Sequence, residues 1–291
     1  MPEFESWNQY WEFSHFIMRK ARHILDARQR RFLDVVIATG AKRKGTIEKG
    51  TVLWRAQFDN DLRKQVLRDA DGNEADSFDV EYPCKVERMK PLPYRACEGR
   101  VNPKGIPCLY LSDDRDTAMT ETRPWIGSSV SVGQFVILRD LNVVDCTGDR
   151  KQGSWISLHD PYKQPDPAIR EEYVWGAINR AFSTPVTRND DVAEYAPTQV
   201  LAEAFQSAGY DGIVYGSRLG KGRTIAIFDL TAADLANCEL FRVEELLLKY
   251  VSTGESYYVH RYYEEGIQKE ATVSGREPAG FLEEEEDTGE D

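Results

Sequence analysis

The sequence has few of the residues that build disulfide frameworks or metal centres. Its 291 residues include five cysteines and four histidines, and no two cysteines form a Cys-x-x-Cys pair. An odd number of cysteines without paired spacing is typical of reduced, intracellular proteins and excludes a disulfide scaffold. The histidines are too far apart for the usual patterns of zinc ligands. We therefore expect no metal site.

Long apolar runs are also missing. No purely apolar stretch exceeds about five residues, whereas a helix that spans a membrane needs roughly 20. The first ten residues contain Glu3 and Glu5 and lack the apolar centre of a signal peptide. These absences predict a cytoplasmic protein that has no membrane partner.

Nucleotide-binding fingerprints and an excess of positive charge are absent as well. There is no Gly-x-Gly-x-x-Gly motif, P-loop or internal repeat, so a Rossmann-type fold is not expected. The net charge is -12, and the stretch from Glu270 to Asp291 alone holds nine carboxylates and one arginine. Because a nucleic-acid backbone selects basic faces, we do not expect direct binding of nucleic acid.

The composition that remains is globular, with 41% hydrophobic and 30% charged residues. The chain is about twice the commonest domain size, which favours one large domain with appendages. We expect four segments along the chain: an N-terminal helical segment (1–45), a main domain (46–230), a C-terminal extension packed on it (231–270) and an acidic disordered tail (271–291).

The N-terminal segment has the spacing of one long helix or a helical pair over residues 6–38. Ser6 and Gln9 fit a capping box at its start. Apolar residues at helical spacing predict a buried face, namely Trp7, Tyr10, Ile17, Ala21, Ile24, Phe32 and Val36. The opposite face is rich in arginine and lysine. It is either a solvated side of a packed helix or a surface for nucleic acid or dimerisation.

The main domain reads as many short strands with few long helices. Residues 40–50 have the composition of a linker, and residues 59–80 that of an exposed insertion. The expected strands are 51–55, 108–111, 130–138, 142–146, 212–215 and 224–228. The expected helices are a short one of roughly three turns capped by Ser112 or Asp113 and ended by Pro124, and two longer ones over 171–182 and 197–208. This pattern predicts an α+β fold with a mixed or mostly antiparallel sheet.

The C-terminal extension has turn residues at 252–255 between two strand-like stretches. These stretches, 246–251 and 256–263, predict a β-hairpin.

Four short segments combine polar side chains with tight turns after apolar strands. They are Trp54-Arg55-Ala56, Gly99-Arg100-Val101-Asn102-Pro103-Lys104-Gly105, Leu109-Tyr110-Leu111-Ser112 with Thr117-Ala118-Met119-Thr120-Glu121, and Asp211-Gly212-Ile213-Val214-Tyr215-Gly216-Ser217. Taken singly, each has a structural explanation. Arg100 can bridge loop carbonyls, Tyr110 can be a core aromatic, and Glu121 can pair with an arginine of its own helix.

The order and spacing of these segments resemble the RES family, which is named for its Arg, Glu and Ser. The resemblance runs from about residue 52 to residue 228. It implies a fold similar to that of ADP-ribosyltransferases, with a split, mixed sheet that holds NAD in a cleft. It also implies an NAD-consuming enzyme, commonly the toxin of a bacterial toxin-antitoxin pair whose antitoxin carries a helix-turn-helix domain.

The resemblance also assigns residues to the site. Arg55, Glu121 and Ser217 are the namesake, catalytic residues. The residues implied to bind NAD are Arg55, Arg100, Asn102, Tyr110, Ser217 and Thr224. Thr224 stands where family members tend to have an asparagine, so the contact made there differs in this chain.

The chemistry of these residue types fits cleavage of the bond between nicotinamide and ribose. A carboxylate such as Glu121 stabilises an oxocarbenium-like transition state. Arginine forks such as Arg55 and Arg100 match the oxygens of a diphosphate. The sequence leaves the acceptor open: water gives a glycohydrolase, inorganic phosphate gives a phosphorylase, and a protein gives an ADP-ribosyltransferase. An inactive NAD-binding or interaction module is the remaining alternative.

Overall fold

The computed structural model describes residues 2–92, 95–148, 164–184, 192–252, 254, 257–264 and 267–274. The chain divides into two compact units, Met1–Glu245 and Leu246–Asp291. In the described part of the chain, no helix is both long and apolar enough to cross a bilayer.

The first unit contains ten strands and six helices among its described residues. The strands are β1 (Lys44–Ile47), β2 (Val52–Phe58), β3 (Asp61–Arg68), β4 (Glu74–Tyr82), β5 (Leu109–Ser112), β6 (Ser129–Ile137), β7 (Leu141–Asp145), β8 (Gly212–Gly216), β9 (Arg223–Ile227) and β10 (Ala233–Arg242). The helices are α1 (Gln9–Arg19), α2 (Ala27–Gly40), α3 (Val86–Met89), α4 (Arg115–Glu121), α5 (Pro167–Ser183) and α6 (Ala196–Ser207). Short 3-10 turns lie at Ala41–Arg43, Val192–Tyr195 and Leu230–Ala232.

Eight of these strands form one sheet in the order β1-β7-β8-β9-β5-β2-β6-β10. Only β7 and β8 pair in parallel, and the other neighbours are antiparallel. The predicted α+β class with a mixed, mostly antiparallel sheet is therefore confirmed. The likeness to ADP-ribosyltransferases stays a prediction.

Each face of the sheet is covered by its own hydrophobic cluster. Side chains alternate across a strand, so neighbouring residues of β7 and β8 belong to different clusters. Val144 and Ile213 pack with α1, α2, α5 and α6 on one face. Val143 and Val214 pack with Met89 of α3 and with Leu53 on the other. This two-sided burial explains why the central strands read as nearly continuous apolar runs.

The sheet has a weak junction between its two halves. β2 pairs with β6 over seven residues, whereas β2 and β5 share a single pair, Trp54 with Ser112. The hydrogen-bonded ladder is therefore almost interrupted between β5 and β2. Arg55 follows directly on the β2 side of this junction.

The N-terminal segment is a helical pair rather than one long helix. Phe13 and Ile17 of α1 and Phe32 of α2 are fully buried, as an amphipathic pair requires. Ile24 and Ala21, expected on the buried face, lie in the connection between the helices, and Ile24 is 79% exposed. That expectation was wrong because the connection breaks the helical period.

The predicted capping box at Ser6 is also wrong. The N-cap is Asn8, and its side chain makes no cap hydrogen bond. Instead, Gln9 Oε1 accepts from the backbone N–H of Glu5 at 2.9 Å. Part of the predicted basic face is neutralised, because Arg28 pairs with Glu5 and Glu12.

Residues 40–50 are not a linker throughout. They contain β1, which pairs antiparallel with β7 along its whole length. Tertiary pairing outweighs the Gly- and Lys-rich composition here, since β1 needs only backbone groups to join the sheet edge. Residues 59–80 form an exposed appendage as expected, the hairpin of β3 and β4.

The helix after β5 is shorter and starts later than predicted. α4 has seven residues, about two turns, and its N-cap is Asp114 rather than Ser112 or Asp113. Asp114 Oδ2 accepts from the backbone N–H of Thr117 at 2.8 Å. Ser112 still contributes, because its Oγ accepts from the N–H of Asp114.

The second unit contains the hairpin of β11 (Tyr257–Glu264) and β12 (Ile267–Ser274), paired antiparallel. The predicted first strand, 246–251, has no regular structure, and Leu247 is 89% exposed. The hairpin therefore lies further along the chain. β12 escaped prediction because it is polar, with Gln268, Lys269 and Glu270 in succession. Residues from 275 onward lie outside the described residues.

Candidate active site

A cavity of about 240 Å³ opens at the junction between the two halves of the sheet. Its lining comes from four regions that are distant in sequence: β2, the loop before β5 with β5 itself, α4, and the strands and turns around α6. The lining residues are Trp54, Arg55, Ala56, Gly99, Arg100, Tyr110, Leu111, Ser112, Ala118, Glu121, Thr122, Tyr195, Tyr215 and Thr224.

Arg55 extends from β2 across the junction. Its Nη1 donates to the backbone carbonyl of Tyr110 on β5 at 3.0 Å, in the place where strand pairing has stopped. Its Nε is buried and has no hydrogen-bond partner, and among the described residues no carboxylate pairs with it. Burial lowers the pKa of Arg55 to about 10. A buried, unpaired guanidinium is costly by itself and is well placed for an anionic ligand.

Glu121 is the last residue of α4, and the position of that helix is fixed by the loop after β8. Gly222 donates its N–H to Thr117 Oγ1 at 2.9 Å. A Cβ on Gly220 would lie 2.2 Å from the same Oγ1, and one on Gly222 would lie 2.6 Å from Cβ of Asp114. Both positions therefore require glycine, and the loop packs closely on the first turn of α4.

The Glu121 carboxylate has a partner on each oxygen. Ser217 Oγ donates to Oε1 at 2.7 Å, and Arg100 Nη2 lies 3.4 Å from Oε2. Ser217 Oγ in turn accepts from the N–H groups of Leu219 and Gly220 at 3.0 and 3.1 Å. With two donors directed at its oxygen, the hydroxyl proton of Ser217 is directed to Glu121.

Arg100 lies at the back of the cavity, and its side chain is only 11% exposed. Its Nη1 donates to the carbonyl of Phe182, and its guanidinium carbon lies 5.9 Å from the ring centre of Tyr215. Burial alone would lower the pKa of Arg100, but Tyr215, Glu121 and Tyr195 outweigh it, and the pKa is raised. Arg100 is thus a firmly charged group that already has an acid partner.

The loop that carries Arg100 is held by a compact hydrogen-bond network. The Tyr110 hydroxyl donates to Asn102 Oδ1 at 2.7 Å and accepts from the N–H of Val101 at 3.0 Å. Gln199 of α6 donates to the carbonyls of Gly99 and Asn102, which flank Arg100. A side chain at position 99 would collide with the Tyr110 hydroxyl, 2.6 Å from its Cβ. The backbone on both sides of Arg100 is therefore fixed.

Thr224 lies on β9, opposite Ser112 and Tyr215 in the neighbouring strands. Thr224 lines the cavity, and its Oγ1 is buried without a hydrogen-bond partner. An unsatisfied buried hydroxyl is uncommon in a folded protein and is a feature of functional sites.

The structure brings five of the predicted site residues to one cavity: Arg55, Arg100, Tyr110, Glu121 and Thr224. The other two, Ser217 and Asn102, do not line the cavity but contact residues around it. Ser217 contacts Glu121, and Asn102 uses its amide nitrogen on the loop carbonyls of Cys97, Pro103 and Ile106.

Sequence reasoning missed Tyr195, Tyr215 and Gln199 as parts of the site. Tyr195 and Gln199 stand four residues apart at the start of α6, so they share one side of the helix. That spacing, beside Pro197 at the helix start, was the available signal. Nothing in the sequence indicates that this side meets the Arg100 loop.

The chain belongs to the RES domain family. The family model matches residues 79–248, more than half of the chain, and this span includes Arg100, Glu121, Ser217 and Thr224. Arg55 lies before it.

Among solved structures, the chain is similar to a chain of the M. tuberculosis MbcT-MbcA toxin-antitoxin complex, with 15% identity and a TM-score of 0.37. The match covers 71% of this chain and 92% of that one. No curated protein matches the sequence.

Proposed function

We propose that this protein degrades NAD by cleaving the bond between nicotinamide and ribose. The observation that carries the proposal is the meeting of Arg55, Arg100 and Glu121 on one cavity, although they lie in three separate segments of the chain. Membership of the RES domain family supports it. A cavity with two guanidinium groups and one carboxylate suits a substrate with an anionic diphosphate and a positively charged pyridinium.

Arg55 is the group that we assign to the diphosphate. It is buried and lacks a carboxylate partner among the described residues, so a bound phosphate oxygen would satisfy it. Because the cavity is smaller than the roughly 300–1,000 Å³ typical of drug-sized ligands, we expect it to take only the nicotinamide ribose end of NAD with the adjoining phosphate that Arg55 contacts. The adenosine end would lie outside it.

Glu121 is the group that we assign to the transition state. As the C1′–N bond breaks, its electron pair leaves with nicotinamide, which becomes neutral, and positive charge develops on the ribose. An ionised carboxylate nearby stabilises that charge. An oxygen of the acceptor then supplies the electron pair of the new bond to C1′, and water as acceptor releases one proton to solvent.

Ser217 and Arg100 keep the Glu121 carboxylate in place rather than react. Each carboxylate oxygen has about two acceptor sites, and each is used once by these partners. One site on each oxygen remains for a ribose hydroxyl or for the developing charge. Ser217 is therefore a positioning residue, and Glu121 is the catalytic residue of the proposal.

Nicotinamide release tests the proposal directly. The full chain is incubated with NAD in phosphate-free and in phosphate buffer, beside a Glu121→Gln control that keeps the side chain's shape. We expect release that depends on Glu121, with ADP-ribose as product if water is the acceptor and a phosphorylated ADP-ribose if phosphate is. Release no greater than that of the control in both buffers would overturn the proposal, and tight binding without release would favour the inactive binding module.

The toxin role rests on the family resemblance, and we include it in the proposal. Expression of the wild-type chain in a bacterial host should then stop growth and deplete cellular NAD, whereas Glu121→Gln should do neither. Co-expression of a helix-turn-helix antitoxin should restore growth. Normal growth with active, soluble protein would contradict the toxin role but not the enzymatic one.

A further inference from the structure

Three tyrosines line the cavity, and two of them have their hydroxyl groups in use. The Tyr110 hydroxyl is bonded to Asn102 and to the N–H of Val101. The Tyr215 hydroxyl is hydrogen-bonded to Arg100, and the residue is fully buried. These two hydroxyls therefore build the cavity, and using them for a ligand would undo contacts that hold Arg100.

Tyr195 is different. Within the described part of the chain its hydroxyl has no hydrogen-bond partner, and the residue is half-buried at the cavity wall. It lines the same cavity as Arg55 and Arg100. Its backbone is fixed, since Thr198 Oγ1 donates to the Tyr195 carbonyl at 2.9 Å, so the phenol ring projects from an ordered helix start.

We propose that Tyr195 is a further substrate-contacting residue, whose hydroxyl donates to a phosphate oxygen of the bound dinucleotide. This inference rests on the proposed function. Tyr195 and Arg55 line the same cavity, so a neutral O–H there presents a second donor to the anion that Arg55 binds. Hydrogen bonds to charged acceptors are the stronger ones. Tyrosine also loses little conformational entropy on binding, because it has only two side-chain torsions. Tyr195 is thus the tyrosine whose hydroxyl is available to NAD, whereas the hydroxyl of Tyr110, which the resemblance implied to bind NAD, holds the Arg100 loop.

The test compares Tyr195→Phe with Tyr210→Phe, both in a Glu121→Gln background that slows turnover. Tyr210 is a matched control because it lies beyond the other end of α6, where its ring packs against Phe205 away from the cavity lining. Binding is measured by calorimetry with NAD, nicotinamide mononucleotide and nicotinamide riboside. The riboside lacks the phosphate that Tyr195 is expected to contact.

We expect Tyr195→Phe to weaken NAD and the mononucleotide about tenfold, the size of one hydrogen bond to a charged group, and to leave the riboside within about twofold. Tyr210→Phe should change none of the three. Equal thermal unfolding of the two variants confirms that only the contact was removed.

Three results would overturn the inference, each in a distinct way. Unchanged binding of NAD by Tyr195→Phe would show that the Tyr195 hydroxyl does not contact NAD, and the proposed function would still stand. Equal weakening of mononucleotide and riboside would show that the partner is not a phosphate. If the Glu121→Gln parent and the wild-type chain both fail to bind NAD, the proposed function fails and this inference fails with it.

Discussion

The two arginines of the cavity have opposite surroundings. Arg100 has an acid partner, a carbonyl acceptor and an aromatic face, and its pKa is raised. Arg55 has one carbonyl acceptor and an unpartnered Nε, and its pKa is lowered to about 10. Two residues of the same type therefore have different surroundings in one cavity. Under the proposed function, Arg100 orients the Glu121 carboxylate, and Arg55 remains available for the substrate.

Removal of the Glu121 carboxylate should have the largest effect, because it removes both the acid partner of Arg100 and the group assigned to the transition state. Glu121→Gln should lower kcat for nicotinamide release by about 10²–10³-fold, the usual loss when one electrostatic contact to a transition state is removed. NAD binding should change far less. Measured kcat within tenfold of wild type would show that Glu121 does not stabilise the transition state.

Substitution of each arginine by methionine should separate their roles. Arg55→Met should weaken NAD binding by roughly 10–100-fold, since it removes a charge-assisted contact. It should leave the thermal midpoint unchanged or raised, because an unpaired buried charge disappears. Arg100→Met should instead lower the midpoint by several degrees, since Glu121 is left without its cation. Equal destabilisation of the two variants in thermal unfolding would contradict the proposed difference between the roles of the two arginines.

The depressed pKa of Arg55 also predicts a pH dependence. Its folded pKa of about 10 lies below the ordinary value, so the ligand-free protein loses this positive charge as pH rises through about 10. NAD affinity should fall over that range. The fall should be absent in Arg55→Met, whose affinity is already low. Binding titrations between pH 8 and pH 10.5 would measure it, with protein folding followed in the same samples.

Ser217→Ala should lower kcat by roughly tenfold and leave KM nearly unchanged, because the hydroxyl orients Glu121 rather than contacts NAD. Ser217→Thr keeps the donor and should recover most of the loss. Steady-state kinetics measure both variants. An increase in KM without a fall in kcat would assign Ser217 to substrate binding instead.

Gln199→Leu should have the smallest effect. It removes the donors to the carbonyls of Gly99 and Asn102, so the Arg100 loop becomes less ordered, and KM should rise about threefold. Gln206→Leu on the exposed side of α6 is the matched control and should leave KM unchanged. Identical KM values for the two variants would show that Gln199 does not position the loop.

The sequence predicts much of the sheet because alternation and apolar runs mark strands whatever their partners. It also identifies Arg55, Arg100 and Glu121, because the order and spacing of the segments that carry them resemble the RES family. The partner of Ser217 is not predictable in the same way. Its hydroxyl contacts Glu121 from 96 positions away, and only the folded loop fixes its direction.

Other features depend on tertiary contacts that leave no local pattern. β1 is formed by pairing with β7 despite a composition typical of linkers. Tyr195 stands in a short turn before α6, and nothing in the sequence indicates that this turn meets the Arg100 loop. Gly220 and Gly222 look like flexible loop residues, yet each is required because α4 leaves no room for a side chain.

The single pair between Trp54 and Ser112 gives the molecule a seam. The Arg55 side chain adds a hydrogen bond across that seam, from its Nη1 to the Tyr110 carbonyl. A ligand that binds Arg55 in the cavity would therefore stabilise the contact between the two halves of the sheet. Occupancy of the cavity should then register as slower exchange of backbone hydrogens along β5, far beyond the atoms that the ligand touches.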